Sequence, residues 1–291
     1  MTHSSENKAG ALYLVSTPIG NLEDITLRAI RILKEVDAIA CEDTRHTQKL
    51  LSHFGIQKRL VSYHEHNENT RAPELFSEML AGATIALVTD AGTPIVSDPG
   101  HRIVALCAEN KIPVIPIPGA SAALAALAAS GIPAERVLFV GFLPARQGER
   151  RRALAELTNN PATLAFFEAP HRITKMIDDA AEILGERQGA LARELTKLHE
   201  EFLRGTLGEL AEKLKSTTVK GEITLVVGPP ATQSPATVPK NLTLRQRVEQ
   251  LIRETALDRK AALKQAAREF GIARREAYKL LLQDGDFPNQ E

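Results

Sequence analysis

Residues 84–100 read TIALVTDAGTPIVSDPG. The first six, TIALVT, form an apolar, β-branched run of strand length. The next eleven change character at once. Ala91 and Gly92 leave the backbone open to close approach, and Pro94 and Pro99 stiffen the turn. Ser97 or Asp98 is expected to cap a helix that starts at His101. A strand, a rigid loop and a helix make one unit of an α/β fold, and open α/β sheets place ligands at the carboxyl ends of their strands.

Working outward, the same unit recurs. Residues 11–16 (ALYLVS) and 37–41 (DAIAC) read as strands. Leu27, Ile30, Leu33 and Val36 repeat at near-helical spacing, and 44–54 is a second helix. Residues 113–117 (PVIPI) suit an edge strand, because proline cannot donate to a ladder. From Gly119 the pattern restarts with an Ala-rich helix to about residue 130. Strands are expected at 137–140, 163–167, 190–193 and 222–227, with helices at 150–157 and 171–184 between them. The expected fold class is α/β: two α/β subdomains built on largely parallel sheet, residues 1–118 and 119–228, with the ligand cleft between them.

Residues 229–241, rich in Pro, Ser, Thr and Ala, read as a linker. Beyond it, 242–291 reads as a small all-α domain. Leu244, Val248, Leu251 and Ile252 share one helical face. Asp258 is placed to cap a second helix with Leu263, Ala266, Ala267 and Phe270 inward. Gly271 supplies a turn, and a third helix carries Ala277, Leu280 and Leu281 inward. This is a helix-turn-helix outline. Residues 240–283 hold eleven Lys/Arg against five Asp/Glu. The whole chain is formally neutral, so the remainder is net acidic. A basic excess on a tethered helix-turn-helix favours nucleic-acid binding over an ordinary solvated face.

Composition removes several classes. Apolar residues make up 43% and charged residues 25%, the balance of a globular enzyme rather than a disordered chain. The two cysteines, Cys41 and Cys107, are isolated in apolar stretches, which excludes a disulfide framework and suits a reducing, cytoplasmic setting. The opening MTHSSENKAG lacks the apolar core of a signal peptide, and no run is long enough to span a bilayer. Neither GxxxxGK[ST] nor GxGxxG nor GxSxG is present, so P-loop, Rossmann and common hydrolase sites are not supported.

Two more loops repeat the pattern of a strand followed by Pro and Gly: STPIGNLEDITL at 16–27 and PIPGASAAL at 116–124, where Ser121 also suits a helix cap. With these loops, LYLVSTPIGNLEDITLRA, CEDTRHT, SYHEHNE, VTDAGTPIVSDPG, IPIPGASA, GFLP, FFEAPHR, ARELTKLHEE and RGTLGEL follow one another in order. Together these nine segments resemble the tetrapyrrole methylase family (class III methyltransferases), and within it the ribosomal-RNA branch. Cys41 before Glu-Asp and Ala120 in the Pro-Gly loop are small departures.

The resemblance implies an S-adenosylmethionine-dependent enzyme that methylates the 2′-oxygen of a cytidine ribose in small-subunit ribosomal RNA. Its partner would be that RNA or the assembled small subunit. Homodimerisation is left open. The cofactor cleft would be formed by Pro18, Ile19 and Gly20 from the first loop, Asp90, Ala91, Gly92 and Ile95 from the second, and Ser121 and Ala122 from the third. Phe167, Glu168 and Leu195 would complete it.

Methylating a hydroxyl needs alignment and a proton acceptor. Polar candidates lie in CEDTRHT, SYHEHNE, APHR and ARELTKLHEE. Asp43, Arg45 and His64 are the expected catalytic group, although Asp43 suits a helix N-cap equally well. No metal is expected, since the His64/His66 pair alone is too few ligands. Arg146, Arg150 and Arg172 are expected to meet RNA phosphates, with Arg274, Arg275 and Lys279 on the last helix. Two rivals remain. A tetrapyrrole C-methyltransferase would share fold and cofactor without needing the basic tail. A non-enzymatic DNA-binding regulator would leave the loops unexplained.

Overall fold

The computed structural model describes residues 10–217, 219–230, 242–255, 258–270, 272 and 274–283. Most of the expected linker and the turn at Gly271 lie outside them. The chain divides into two compact units, residues 1–230 and 231–291.

In the first unit the order begins β1 (Ala11–Val15), α1 (Leu27–Glu35), β2 (Ala38–Cys41), α2 (Thr44–His53), β3 (Arg59–Ser62), α3 (Glu68–Leu80), β4 (Thr84–Val88), α4 (His101–Glu109) and β5 (Val114–Ile117). These strands pair in parallel in the order β3-β2-β4-β1-β5. The prolines of β5 sit at a sheet edge, as expected. Alternation sets the two faces. Ile85 and Leu87 of β4 join the core under α3 and α4, whereas Ala86 and Val88 join the core under α1 and α2. All five strands therefore point their carboxyl ends the same way.

The chain continues with α5 (Ala122–Ser130), β6 (Val137–Phe142), α6 (Gln147–Glu156), β7 (Thr163–Glu168), α7 (Ile173–Leu184), β8 (Gln188–Arg193), β9 (Glu201–Thr206), α8 (Leu207–Lys215) and β10 (Ile223–Val227). Here the expectation of a largely parallel sheet fails. The order is β6-β7-β10-β8-β9, and only β6 and β7 run parallel. The cause is the short return from β8 to β9, which forms a hairpin where a parallel crossover would need a dozen or more residues. Strands β3 and β9, both part-exposed edge strands, carry too little apolar pattern to be read from sequence. One face of this sheet is covered by α6, α7 and α8, and the other by the Ala-rich α5.

The second unit contains α9 (Leu244–Thr255), α10 (Arg259–Glu269) and α11 (Arg274–Gln283) around a core of Leu244, Val248, Leu251, Ala262, Leu263, Ala266, Ala267, Ala277 and Leu281. Asp258 caps α10, its Oδ1 accepting from the Ala261 N–H at 2.7 Å. Leu280, expected inward, is exposed: Ala277 and Leu281, four residues apart, define the buried stripe and turn Leu280 outward.

Candidate active site

Loops after β1, β4 and β5 meet at the carboxyl end of the parallel sheet. Thr17 and Gly92 exchange backbone hydrogen bonds, N–H to carbonyl, at 2.9 and 3.1 Å. Thr17 Oγ1 donates to the Thr89 carbonyl at 3.1 Å. Thr93 joins the third loop, with its hydroxyl 3.1 Å from Ser16 Oγ and 3.4 Å from the Ala120 carbonyl. Gly92 has φ +84°, a conformation costly for side chains other than glycine's. Ser121 caps α5 by accepting from the Leu124 N–H. The three loops are thus one rigid wall with little side-chain bulk.

That wall faces the ends of β7 and β10 across a cleft of about 390 Å³. Nine of the residues expected from sequence line it: Ile19, Asp90, Ala91, Gly92, Ser121, Ala122, Phe167, Glu168 and Leu195. Pro18 and Gly20 lie on an adjoining cavity with His46, Lys49 and Lys197. Ile95 is a correction: it does not line the cleft but fills the space that Gly100 leaves, where an added Cβ would stand 2.9 Å from Ile95 Cγ1. Thr93, Val96, Ser97, Asp98, Phe142 and residues 221–224 also line the cleft and were not anticipated as site residues. The sequence signal for the last group was a Gly-Glu pair opening a strand, which is weak by itself.

Asp98 and Ser97 do not cap α4. Gly100 holds the cap position, with φ +137° and no side-chain bond. Asp98 instead faces the cleft, and its carboxyl is pushed up to about 6 by burial and by the nearby charges of Glu42 and Asp90. Glu42 is also raised, by burial first and then by Asp90, against the opposing influence of His64. Three carboxylates from the ends of β2 and β4 therefore give this part of the cleft a negative field.

The expected catalytic group is dispersed in role. Asp43 caps α2 by accepting from the Arg45 N–H at 2.8 Å, and it pairs with the Arg45 guanidinium at 3.0 Å. Those hydrogen bonds hold its carboxyl down at about 2, so Asp43 is a helix cap and a feeble base. Arg45 is exposed on that pair. His64 is held by Asn67. The Asn67 side-chain oxygen accepts from the His64 backbone N–H at 2.9 Å, and its amide nitrogen donates to the Ser62 carbonyl at 3.2 Å. The same nitrogen lies 3.1 Å from His64 Nε2, which makes Nε2 the acceptor and leaves the proton of the neutral ring on Nδ1.

On the opposite wall Glu168 is buried. Its Oε1 accepts from the Ala169 N–H at 2.8 Å and pairs with Arg172 Nε at 3.1 Å. Its Oε2 is buried with no hydrogen-bond partner. A buried carboxylate oxygen left unpaired is costly, and at the wall of a cleft it is a ready acceptor for a ligand N–H. Arg172, expected on phosphate, is turned inward to Glu168 and to the Leu143 carbonyl.

Arg150 is likewise a correction. It is 3% exposed and pairs with buried Asp179 through Nε and Nη2 at 2.8 and 2.7 Å, so it is part of the core rather than an RNA contact. Arg146 is exposed, 3.4 Å from Glu149. Arg275 and Lys279 are exposed on α11, while the side chain of Arg274 lies outside the described residues. Among the described residues no cluster could hold a metal ion, and no helix is long and apolar enough to cross a membrane.

A parallel sheet and a mixed sheet thus share a cleft walled by Pro/Gly loops. The chain belongs to the tetrapyrrole (corrin/porphyrin) methylase family, whose model matches residues 11–211, and it is a methyltransferase. Along nearly its whole length it is similar to ribosomal RNA small subunit methyltransferase I of Halalkalibacterium halodurans, 48% identical over 97% of this chain and 98% of that protein. The protein of that name from Escherichia coli O157:H7 is 44% identical over 96% and 97% of the two chains. In fold it is similar to uroporphyrin-III C-methyltransferase of Thermus thermophilus complexed with S-adenosylhomocysteine. That likeness has a TM-score of 0.53 at 22% identity and covers 75% of this chain and 97% of that one.

Proposed function

We propose that this methyltransferase uses S-adenosylmethionine to methylate the 2′-hydroxyl of a cytidine ribose in small-subunit ribosomal RNA, in the cytoplasm. The observation that carries the reading is the cleft itself. Its loop wall is backbone and small side chains, its opposite wall holds the orphaned Oε2 of Glu168, and Asp90 and Asp98 line it with the charge of Glu42 nearby. These features fit a flat nucleoside with N–H donors joined to a sulfonium cation, for which shape, backbone groups and a negative field suffice. The bound donor supplies a methyl group already activated by positive charge on sulfur.

The chain's own residues do the rest. Ile19, Asp90, Ala91, Gly92, Ser121, Ala122, Phe167, Glu168 and Leu195 hold the donor, with Pro18 and Gly20 shaping the first loop. The stitched loops fix its orientation, so that alignment of the hydroxyl supplies much of the rate. Residues 242–291 serve as the RNA-binding domain, with Arg275 and Lys279 joining Arg146 on the phosphate backbone. The similarity to the ribosomal enzymes along the full chain supports this substrate over a tetrapyrrole.

The test incubates the full chain with methyl-labelled S-adenosylmethionine and hypomethylated small subunits, free small-subunit RNA or tRNA, and maps the product by mass spectrometry. Label on a cytidine ribose of small-subunit RNA is expected. Label on a base, or on tRNA alone, refutes the assignment.

A further inference from the structure

We infer that Asp98, which lines the cleft without an ion-pair partner among the described residues, is the group that accepts the proton of the substrate hydroxyl. The inference rests on the proposed function, because it concerns the nucleophile of that reaction.

Several titratable groups stand at the cleft. Carboxylates that line it are Asp90, Asp98, Glu168 and Glu222. Glu168 is tied to Arg172 through Oε1, and Glu222 reaches Lys197 at 3.2 Å. Asp90 uses Oδ1 to accept the Asp43 N–H at 3.2 Å. Asp98 has no ion-pair partner among the described residues; the hydroxyl of Thr89 is its hydrogen-bond neighbour. Outside the lining, Asp43 is committed to its helix cap and to Arg45. His64 has Nε2 taken up by Asn67 and Nδ1 buried, and it does not line the cleft. Glu42 faces Asp90 and His64 but does not line the cleft.

Glu168 and Asp90 each keep a second oxygen free, but Glu168 is bound to a guanidinium and Asp90 to a backbone N–H, whereas Asp98 faces the cleft with neither kind of partner among the described residues. Burial and the charges of Glu42 and Asp90 raise it to about 6. A base with that value is ionised at neutral pH and far stronger than an exposed aspartate, which is what general-base catalysis requires. Close by, the Ser97 hydroxyl lies against Gly141, where an added Cβ would be 3.1 Å away, so this turn is held between the two sheets.

The step balances without any other reagent. The bond from the 2′-oxygen to the methyl carbon forms as the bond from that carbon to sulfur breaks, and the breaking pair passes to sulfur. The hydroxyl proton moves to Asp98, giving a methyl ether, a neutral thioether and a carboxylic acid. The acid then returns its proton to water.

The experiment compares the full-length wild type with Asp98→Asn, a change that keeps side-chain size and removes the charge. Four measurements are made: kcat on hypomethylated small subunits from pH 5 to 8, S-adenosylmethionine affinity by calorimetry, KM for the subunit, and carboxyl titration in the donor-free protein by carbon-13 NMR. Wild-type kcat is expected to fall about tenfold per pH unit below 6, with one carboxyl resonance titrating near 6 that Asp98→Asn abolishes. Asp98→Asn is expected to lose roughly 100-fold or more in kcat at saturating donor, while KM for the subunit changes less than about threefold. An Asp98→Asn protein that keeps over a tenth of kcat, or a resonance titrating near 4, overturns the inference. A wild type that labels no ribosomal RNA instead defeats the proposed function, and this inference with it.

Discussion

The Arg150–Asp179 pair can be broken from either end, and the two ends should not cost the same. Both side chains are about 95% buried, with relative exposures of 4% and 5%. Asp179 Oδ2 receives Arg150, and Oδ1 receives Arg151 at 3.0 Å and Gln147 at 3.3 Å. Burial pushes the Asp179 carboxyl up, but these donors outweigh it and hold it below the ordinary 3.8. Its contribution is therefore complete above pH about 4 and is lost as pH falls through the lower native value. Replacing Arg150 with Met leaves Asp179 two donors, one of them charged, and relieves the desolvation of a guanidinium. The expected loss is about 1–2 kcal/mol. Asp179→Ala strands the Arg150 cation in the core with the Ala145 carbonyl, 3.1 Å away, as its remaining hydrogen-bond partner, and should cost about 3–5 kcal/mol. The double variant should be no worse than Asp179→Ala, which gives a coupling of about 1–2 kcal/mol. Far-UV circular dichroism in urea is the assay, since the chain has no tryptophan, with amide exchange in α6 and α7 as the local readout. Native Arg150→Met should bind RNA within about twofold of wild type at fixed salt. The reasoning fails if Asp179→Ala costs under 1 kcal/mol, or if Arg150→Met loses tenfold in RNA affinity at unchanged stability.

Asp98→Asn should also raise stability. A carboxyl at about 6 in the native state and near 3.8 when unfolded binds its proton more tightly when folded, so stability falls as pH rises from about 4 to 6 and stays reduced above. The ceiling is about 3 kcal/mol, screened by water in the cleft to about 1–2, and thermal melts at pH 7.5 and pH 4 should show the gain only at the higher pH. Gly100→Ala places a Cβ 2.7 Å from Leu87 Cδ2 at φ +137°, and should cost about 2–4 kcal/mol and weaken donor binding in calorimetry. Arg275→Ala and Lys279→Ala should each weaken RNA binding and lower the salt slope of log Kd by about one, measured by filter binding from 50 to 200 mM salt.

How far the sequence could be read follows from where its signals are local. Strand β4 is a β-branched run closed by Gly and Pro, and both its position and its loop could be read from residues 84–100. The Pro/Gly loops were legible because they announce backbone geometry, and they brought most of the expected cofactor residues to one cleft. Ile95 was not legible: whether a side chain enters the cleft or turns to the core depends on φ at that one residue, here +77°. The arginines misled for a different reason. A run of Arg150, Arg151 and Arg152 looks like a solvated basic face until Asp179, 29 residues away, takes up the first of them. Long-range charge pairing leaves no mark in local spacing.

The loop at residues 90–100 links these cases. Ile95 and Ser97 both have positive φ, at 77° and 68°, and a β-branched residue there is strained by about 1–3 kcal/mol. That twist drives the Ile95 side chain against Gly100 and turns the chain so that Asp98 faces the cleft beside Asp90. A relaxed turn would leave Asp98 free to cap α4, the role its sequence position suggests, and would spare it the charges of Glu42 and Asp90. Backbone strain and electrostatic strain thus fall on the same few residues, and they convert a capping aspartate into a base set near the pH at which it must work.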